Sequence, residues 1–291
     1  MNGNLNRIAY IIGNDDYQEW EPLKAAVNDA QLMNTTLKKC GFHTNTSVNL
    51  NYDEFRNKIY EFKYNCMEYH VGLFYYAGHG FEYKGENYLC PIDAKKEFSE
   101  TEYVNITGLV NEISKDRNFI SIIILDCCRS KCFDNIRGES FFNPIIPNFK
   151  NTGGTYIAYA TTSGEGAYEN HGHGLYTSLL CNEVLAECNQ IEQIFKNVRK
   201  RIIEKGIINN KKIQIPWEYS SLVNEFYFID NIQSKNINSL VEDAIKNKYQ
   251  YNKIVNEVIT FCEKENISEK SSVLLEVLTK IDEIMKVNTY E

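Results

Sequence analysis

Four short runs of apolar residues constrain the fold of this 291-residue chain more than any other feature. The runs cover residues 7–12, 71–76, 119–125 and 155–160. Between them, apolar residues recur at helical spacing, and this periodicity predicts helices near residues 22–37, 52–69 and 107–115. Strands that are apolar on both faces are typical of parallel sheets with helices on each side. The sequence therefore predicts an α/β fold with a mostly parallel central sheet.

The rest of the chain predicts the domain organisation. Residues 129–153 contain prolines, glycines and basic residues without periodicity, and we expect a long loop there. The pattern then predicts helices near 175–187 and 191–205 and short strands near 212–216 and 226–229. We place one domain at residues 1–230. Apolar stripes in residues 231–291 predict a helical extension.

The bulk composition excludes several classes of function. A formal net charge of −8 argues against a general nucleic-acid binder, which usually carries a basic face. The N-terminal stretch lacks a signal-peptide pattern, and no apolar run reaches the length of a membrane span. Nine cysteines at irregular spacings predict reduced thiols rather than a disulfide framework. We therefore expect a cytoplasmic protein that binds neither nucleic acid nor a membrane.

Two groups with catalytic chemistry follow neighbouring predicted strands. His79, flanked by two glycines, follows one apolar run, and Cys127 and Cys128 follow the next. Sites in open α/β sheets are built at this edge of the sheet. The alternative for His79 is a structural histidine in a turn.

Cys127, Cys128 and Cys132 lack partners at zinc-ligand spacing, and the acidic residues form no calcium loop, so we expect no metal and no cofactor.

A thiol nucleophile beside a histidine would give both groups a role. The histidine can accept the thiol proton and so keep the sulfur nucleophilic near neutral pH. The backbone N–H groups of Gly80 and of the nucleophile are the expected oxyanion hole. These residues alone leave open which of the two adjacent cysteines is the nucleophile.

Four stretches together carry a family resemblance. They are YIIGNDDYQEWEPLKAAVNDAQLM (10–33), LFYYAGHGFEYKGENYLCPIDA (73–94), IIILDCCRS (122–130) and AYATTSGEGAYENHGHGLYTSLL (158–180). The chain resembles the caspase-like cysteine peptidases, and the paracaspase branch most closely. Caspases have the catalytic histidine about 50 residues before the cysteine, and Cys128 follows His79 by 49 residues.

This resemblance implies a caspase-like α/β/α sandwich. It implies a large-subunit part over about 1–135 and a small-subunit part over about 154–230. It also implies a catalytic pair of His79 and Cys128, because the family's Asp-x-Cys-Arg pattern puts the nucleophile two residues after Asp126. Cys127 then occupies the variable position of that pattern.

The resemblance further implies the substrate class. The caspase signature Gln-Ala-Cys is absent, and the paracaspase and metacaspase branches cleave after basic residues. A pocket for arginine needs carboxylates, which accept its paired N–H donors. Asp126 lies two residues before the nucleophile. The resemblance supplies Asp29 and Glu169, with Glu165 as the fallback for the last position. The expected activity is endopeptidase cleavage of proteins or peptides after Arg, and more weakly after Lys.

The loop at residues 129–153 offers sites for self-cleavage. It follows the nucleophile, and among its basic residues we expect Arg137 and Lys150 to be cleaved. The extension at residues 231–291 lies outside the resemblance and either packs on the domain or provides a surface for a homodimer or a helical partner. The alternative function is a catalytically silent caspase-like scaffold that binds a partner.

Overall fold

The computed structural model describes residues 5–65, 68–97, 99–113, 119–129, 154–160, 169–170, 172–186, 189–208, 215–229, 251–264, 274, 277–279 and 281. The chain divides into two compact units, Met1–Ile229 and Asp230–Glu291. Each unit has an apolar core of its own.

The first unit alternates strands and helices along the chain. Its described strands are β1 (Arg7–Gly13), β2 (Phe42–Val48), β3 (Val71–Tyr83), β4 (Glu86–Leu89), β5 (Val104–Asn105), β6 (Ile120–Arg129), β7 (Thr155–Tyr159), β8 (Glu169–Asn170), β9 (His173–Gly174) and β10 (Trp217–Ser220). Its described helices are α1 (Ala26–Lys39), α2 (Tyr52–Asn65), α3 (Ile106–Ile113), α4 (Leu175–Leu185) and α5 (Ile191–Ile208).

Parallel pairing joins the main strands of the central sheet in the order β7, β6, β3, β1 and β2. β10 lies antiparallel to β7 at one edge, β4 pairs antiparallel with β3, and β5 pairs antiparallel with β4. The prediction of a mostly parallel sheet is therefore confirmed. Parallel register brings the carboxyl end of β6 beside residues 78–80 of β3, where the pairing of these two strands ends.

Apolar layers cover both faces of the sheet, because successive strand side chains alternate between the faces. On one face, Tyr75 of β3 lies in a buried cluster with Met33 of α1 and Phe195 of α5. On the other face, Phe74 lies in a cluster with Phe62 of α2, and the two rings are 5.6 Å apart. Helices therefore cover both faces, which is the α/β/α sandwich that the family resemblance implied.

β3 runs further than the apolar pattern predicted. The predicted strand ended at residue 76, whereas β3 continues through His79 to Tyr83. Its last four residues pair antiparallel with β4. The connecting turn has positive φ at Lys84 (51°) and Gly85 (82°), as in a type I′ hairpin. His79 consequently lies within a paired strand rather than in a loop.

α1 begins at Ala26 rather than near Pro22. Asp15 gives the physical reason, because it binds the chain on both sides of this point. Its backbone carbonyl accepts the N–H of Leu23 at 3.0 Å, and its carboxylate accepts the N–H of Val27 at 3.3 Å. The carboxylate thus satisfies an N–H of the first turn that has no partner within the helix.

The last part of the first unit also differs from prediction. Residues 226–229 form no strand and contribute only an isolated bridge between Gln190 and Tyr227. The strand in this region is β10, whose Trp217 lies 5.7 Å from the ring of Tyr159 on β7. Of the other predicted strand, residues 212–214 lie outside the described residues.

The described part of the second unit is helical. It contains α6 (Tyr251–Lys264) and helical residues at 274, 277–279 and 281. Ile254, Val258 and Cys262 recur at intervals of four residues along α6 and form a buried cluster with Val277. Among the helices that the structure describes, none combines the length and apolar content that crossing a membrane requires.

Candidate active site

The last residues of the parallel pairing between β3 and β6 bring the two predicted catalytic positions together. The parallel register pairs Gly78 with Cys127, His79 with Cys128, and Gly80 with Arg129. The side chains of β6 are described only as far as Cys127, so for residue 128 the structure describes the backbone alone. Two positions 49 residues apart in sequence are thus direct neighbours across the sheet.

A backbone carbonyl orients the imidazole of His79. Nε2 lies 2.7 Å from the carbonyl oxygen of Glu21. Because a carbonyl can only accept a hydrogen bond, Nε2 carries the hydrogen and Nδ1 of the neutral ring is the nitrogen that can accept a proton. Burial lowers the pKa of His79, although the Glu21 carbonyl opposes this effect. The neutral imidazole is the form that a general base requires.

Two buried tyrosines hold the backbone of His79. Its N–H donates to the Tyr17 hydroxyl at 2.8 Å, and its carbonyl accepts from the Tyr76 hydroxyl at 2.8 Å. Tyr76 also lies 3.0 Å from the carbonyl of Cys90, so its hydrogen is directed at carbonyl oxygens. Tyr17 is therefore the donor in the 3.1 Å contact between the two hydroxyls. Burial raises the pKa of both phenols well above the usual value, which keeps them neutral.

The glycine before His79 is required by this network. A Cβ at Gly78 would lie 2.4 Å from the hydroxyl oxygen of Tyr76 and 2.6 Å from that of Tyr17. The imidazole itself lies against aromatic rings, 4.6 Å from Tyr17 and 5.5 Å from Trp20 between centroids. The glycine and the rings together restrict where the imidazole can lie.

Cys127 lies in the apolar core. Its side chain is 5% exposed and belongs to the same buried cluster as Leu125 and Tyr76. A Cβ added at Gly80 would lie 3.0 Å from its sulfur. The second glycine of the Gly-His-Gly sequence therefore makes room for the Cys127 thiol, which gives this cysteine a packing role.

Two buried carboxylates converge beside the paired positions. Asp29 of α1 and Asp126 of β6 are 3% and 8% exposed. The N–H of Gly174 donates to both oxygens of Asp29 at 3.0 Å. A Cβ at Gly174 would lie 2.8 Å from Oδ2 of Asp29 and 3.4 Å from Oδ2 of Asp126. One methyl-sized volume therefore touches both carboxylates, although the two residues are far apart in sequence.

A chain of hydroxyl groups orients the Asp126 carboxylate. The Thr177 hydroxyl donates to Oδ2 of Asp126 at 2.6 Å, and the Tyr75 hydroxyl lies 2.7 Å from that of Thr177. Because Thr177 uses its one hydrogen on the carboxylate, Tyr75 is the donor to Thr177. Burial raises the pKa of Asp126 to about 6, and the Thr177 hydrogen bond only partly opposes this shift.

The remaining predicted site residues are described in part or not at all. Glu169 pairs through its backbone with Gly174 in the β8–β9 hairpin, and its side chain is not described. Glu165 and the predicted self-cleavage residues Arg137 and Lys150 lie outside the described residues. Among the described residues, no group of three or more His, Cys, Asp or Glu side chains could hold a metal ion.

A family model and several curated proteins match this chain. A family model of the caspase domain matches residues 6–227. The human mucosa-associated lymphoid tissue lymphoma translocation protein 1 is 28% identical over 170 residues, which cover 58% of this chain and 20% of the human protein. A paracaspase of Dictyostelium discoideum is 26% identical over 222 residues, which cover 70% of this chain and 52% of that protein. The chain thus spans about a fifth to about half of the length of these curated relatives.

The matched residues include every strand and helix of the first unit from β1 to β10. They also include the paired positions His79 and Cys128 and the two converging carboxylates of Asp29 and Asp126. The parallel sheet, its two helical layers and the position of the candidate site agree with that match. The chain belongs to the caspase-domain family of cysteine peptidases, with a paracaspase among its relatives.

Proposed function

We propose that this protein is a cysteine endopeptidase that cleaves after Arg, and more weakly after Lys. The observation that carries the proposal is the convergence of two buried carboxylates, Asp29 and Asp126, at the carboxyl edge of the strands that pair His79 with Cys128. Strand alternation supports placing residue 128 on the sheet face of residue 126 and opposite to Cys127. The nucleophile would then lie on the face of the two acids, and Cys127 in the core.

The proposed reaction uses His79 first as a base and then as an acid. Nδ1 of His79 accepts the thiol proton of Cys128, and the thiolate attacks the carbonyl carbon before the scissile bond. The backbone N–H groups of Gly80 and Cys128 are proposed to stabilise the resulting oxyanion. His79 then protonates the leaving amine, which leaves a thioester on Cys128. Water, deprotonated by His79, hydrolyses the thioester and regenerates the thiol.

The proposed specificity follows from the chemistry of the two carboxylates. A guanidinium presents planar, paired N–H donors that match carboxylate oxygens, whereas an ammonium is a point charge. Asp29 and Asp126 are already buried, so their charges act through a medium of lower effective dielectric than water. We include Glu169 as a third acid on the family resemblance, because its backbone pairs with Gly174 beside the other two.

The test of this proposal is turnover of fluorogenic peptides that differ only in having Arg, Lys or Asp before the scissile bond. We expect the order Arg, then Lys, with no cleavage after Asp. Cys128→Ala should abolish turnover, and the adjacent Cys127→Ala is the matched control that should retain it. Turnover that survives in Cys128→Ala but is lost in Cys127→Ala would refute the assignment of the nucleophile. Wild-type protein with no turnover of any peptide would instead support the silent scaffold.

Self-processing is part of the proposal and has its own test. We expect cleavage after Arg137 or Lys150, because both lie in the segment after the nucleophile. Intact-mass spectrometry after incubation should show the two fragments in wild type and only the full chain in Cys128→Ala. An Arg137→Ala, Lys150→Ala double variant should stay intact while it still cleaves peptides. Identical intact masses for wild type and Cys128→Ala would contradict self-cleavage.

A further inference from the structure

His173 lies against one of the two pocket acids. Its Nδ1 is 3.3 Å from Oδ1 of Asp29, within ion-pair distance. This nitrogen is shielded from solvent and has no hydrogen-bond partner among the described residues, so the contact with Asp29 becomes an ion pair only when the imidazole carries a second proton. The histidine side chain is 37% exposed and the carboxylate 4%, so the imidazole can exchange its proton with water.

Two contacts hold His173 in this place. The residue before it, Gly172, accepts a hydrogen bond at 3.1 Å from the Asn28 side chain of α1. The residue after it, Gly174, donates its N–H to both oxygens of Asp29. The imidazole is therefore bracketed by attachments to the helix that carries the acid. It lies next to the position where the proposed substrate side chain meets Asp29.

We propose that His173 sets the charge of the basic pocket, because its protonated form is a cation that competes with the substrate's guanidinium for Asp29. The inference rests on the function proposed above and assigns to it a further specificity-determining residue. Neutral His173 adds no positive charge beside Asp29 and does not compete with the guanidinium of the substrate. Protonated His173 pairs with Asp29 and weakens the binding of a cationic side chain.

The charged residues that the structure describes around His173 are acids. α1 contributes Asp29, β6 contributes Asp126 beside Gly174, and β8 contributes Glu169 by its backbone pairing. Other titratable groups near the acids, in the part of the chain that the structure describes, include the hydroxyls of Tyr75 and Tyr176 and the thiol of Cys181, and burial raises the pKa of all three. These groups stay neutral across the physiological range. Within the described part of the chain, a proton on His173 would therefore add positive charge beside these acids.

Proton binding and substrate binding are then linked. Suppose that a proton on His173 and a guanidinium at Asp29 exclude each other. The affinity for an Arg side chain then falls by up to about tenfold for each unit that the pH decreases, once the imidazole is protonated. Protonation of Asp126, with a pKa of about 6, also weakens guanidinium binding as the pH falls. The contribution of His173 is therefore the part of the pH dependence that disappears when this residue alone is changed.

The experiment measures peptide binding in the non-cleaving Cys128→Ala protein by fluorescence anisotropy. Two labelled peptides are used, identical except for a terminal Arg or its neutral isostere citrulline, at about pH 7.5 and about pH 5.5. The variants are His173→Gln, which cannot be protonated, and His173→Lys, which carries a fixed charge. His43→Gln is the matched control, because His43 is exposed at the amino end of β2.

We expect acidification to weaken Arg-peptide binding about fivefold to tenfold more in the parent and in His43→Gln than in His173→Gln. His173→Lys should weaken Arg-peptide binding about tenfold already at the higher pH, with citrulline-peptide binding unchanged. Equal pH dependence with and without His173, or undiminished Arg binding in His173→Lys, would overturn the inference and leave the basic pocket standing. Equal affinity of the parent for both peptides at the higher pH would overturn the basic pocket and this inference with it.

Discussion

Gly174→Ala is the sharpest test of the two-carboxylate pocket, because it adds one methyl group where the acids converge. The backbone at Gly174 has φ −63° and ψ 138°, which alanine adopts without strain. The new methyl carbon would lie 2.8 Å from Oδ2 of Asp29 and 3.4 Å from Oδ2 of Asp126. The first distance is too short for a carbon–oxygen contact, so the Asp29 carboxylate must move.

The size of the effect follows from what that movement breaks. Asp29 accepts the Gly174 N–H through both oxygens, and a hydrogen bond to a charged group contributes roughly 1.5–3 kcal/mol. The methyl also fills volume that a guanidinium would use between the carboxylates. We expect kcat/KM for Arg peptides to fall roughly 10- to 100-fold, since each 1.36 kcal/mol is a factor of ten.

The assay is kcat/KM for the Arg and Lys peptides, together with the thermal midpoint of unfolding. Gly108→Ala is the matched control, because Gly108 is exposed on α3 and its new Cβ would meet nothing closer than Asn105 at 3.7 Å. Gly108→Ala should keep full activity and be neutral or slightly stabilising. Undiminished Arg cleavage by Gly174→Ala would refute the reasoning, since it would mean that the substrate side chain does not approach these two acids.

Three further changes test the network around the site. Tyr76→Phe removes the donor to the His79 carbonyl and the acceptor of the Tyr17 hydroxyl. The free energy of unfolding measured in urea should fall by roughly 1–3 kcal/mol, and an unchanged midpoint would argue against this network. Asn14→Ala removes a fully buried side chain that accepts the Leu50 N–H at 3.0 Å. We expect the free energy of unfolding to fall by roughly 2–4 kcal/mol in the same assay. Asp126→Asn should stabilise the fold at neutral pH, by at most on the order of 3 kcal/mol, while it lowers Arg turnover. Equal stability of Asp126→Asn and wild type from about pH 4 to about pH 8 would contradict the raised pKa.

The sheet could be predicted from the sequence because its strands are apolar on both faces. Runs such as residues 71–76 have few alternatives to a central parallel strand, and helical spacing indicated the layers that cover them. The adjacency of residues 79 and 128 follows from the same reasoning, since neighbouring parallel strands end at one edge. The family resemblance then selected Asp29, which no local pattern marks as different from other acids on helices.

The supporting residues of the site could not be predicted in this way. The Glu21 carbonyl that orients His79 is a backbone group, and its residue type carries no signal for that role. Tyr17 and Thr177 contact the site from separate parts of the chain through single hydroxyls, which no periodicity indicates. The sequence carries no signal for the position of His173, because only the folded β8–β9 hairpin brings its ring to Asp29.

The charge state of Asp126 links the stability of the fold to the proposed chemistry. Its pKa rises from 3.8 to about 6 because the carboxylate is buried, and none of the causes of this shift is a cation in the described residues. The protonated form therefore stabilises the fold fully below about pH 3.8, and this contribution is lost as the pH rises through about 6. At neutral pH the buried carboxylate of Asp126 is ionised, which destabilises the fold by on the order of 3 kcal/mol. Packing of the core does not require a charged side chain at this position. A cationic substrate side chain offsets that cost only while it is bound. An Arg-peptide ligand should accordingly stabilise wild type more than it stabilises Asp126→Asn.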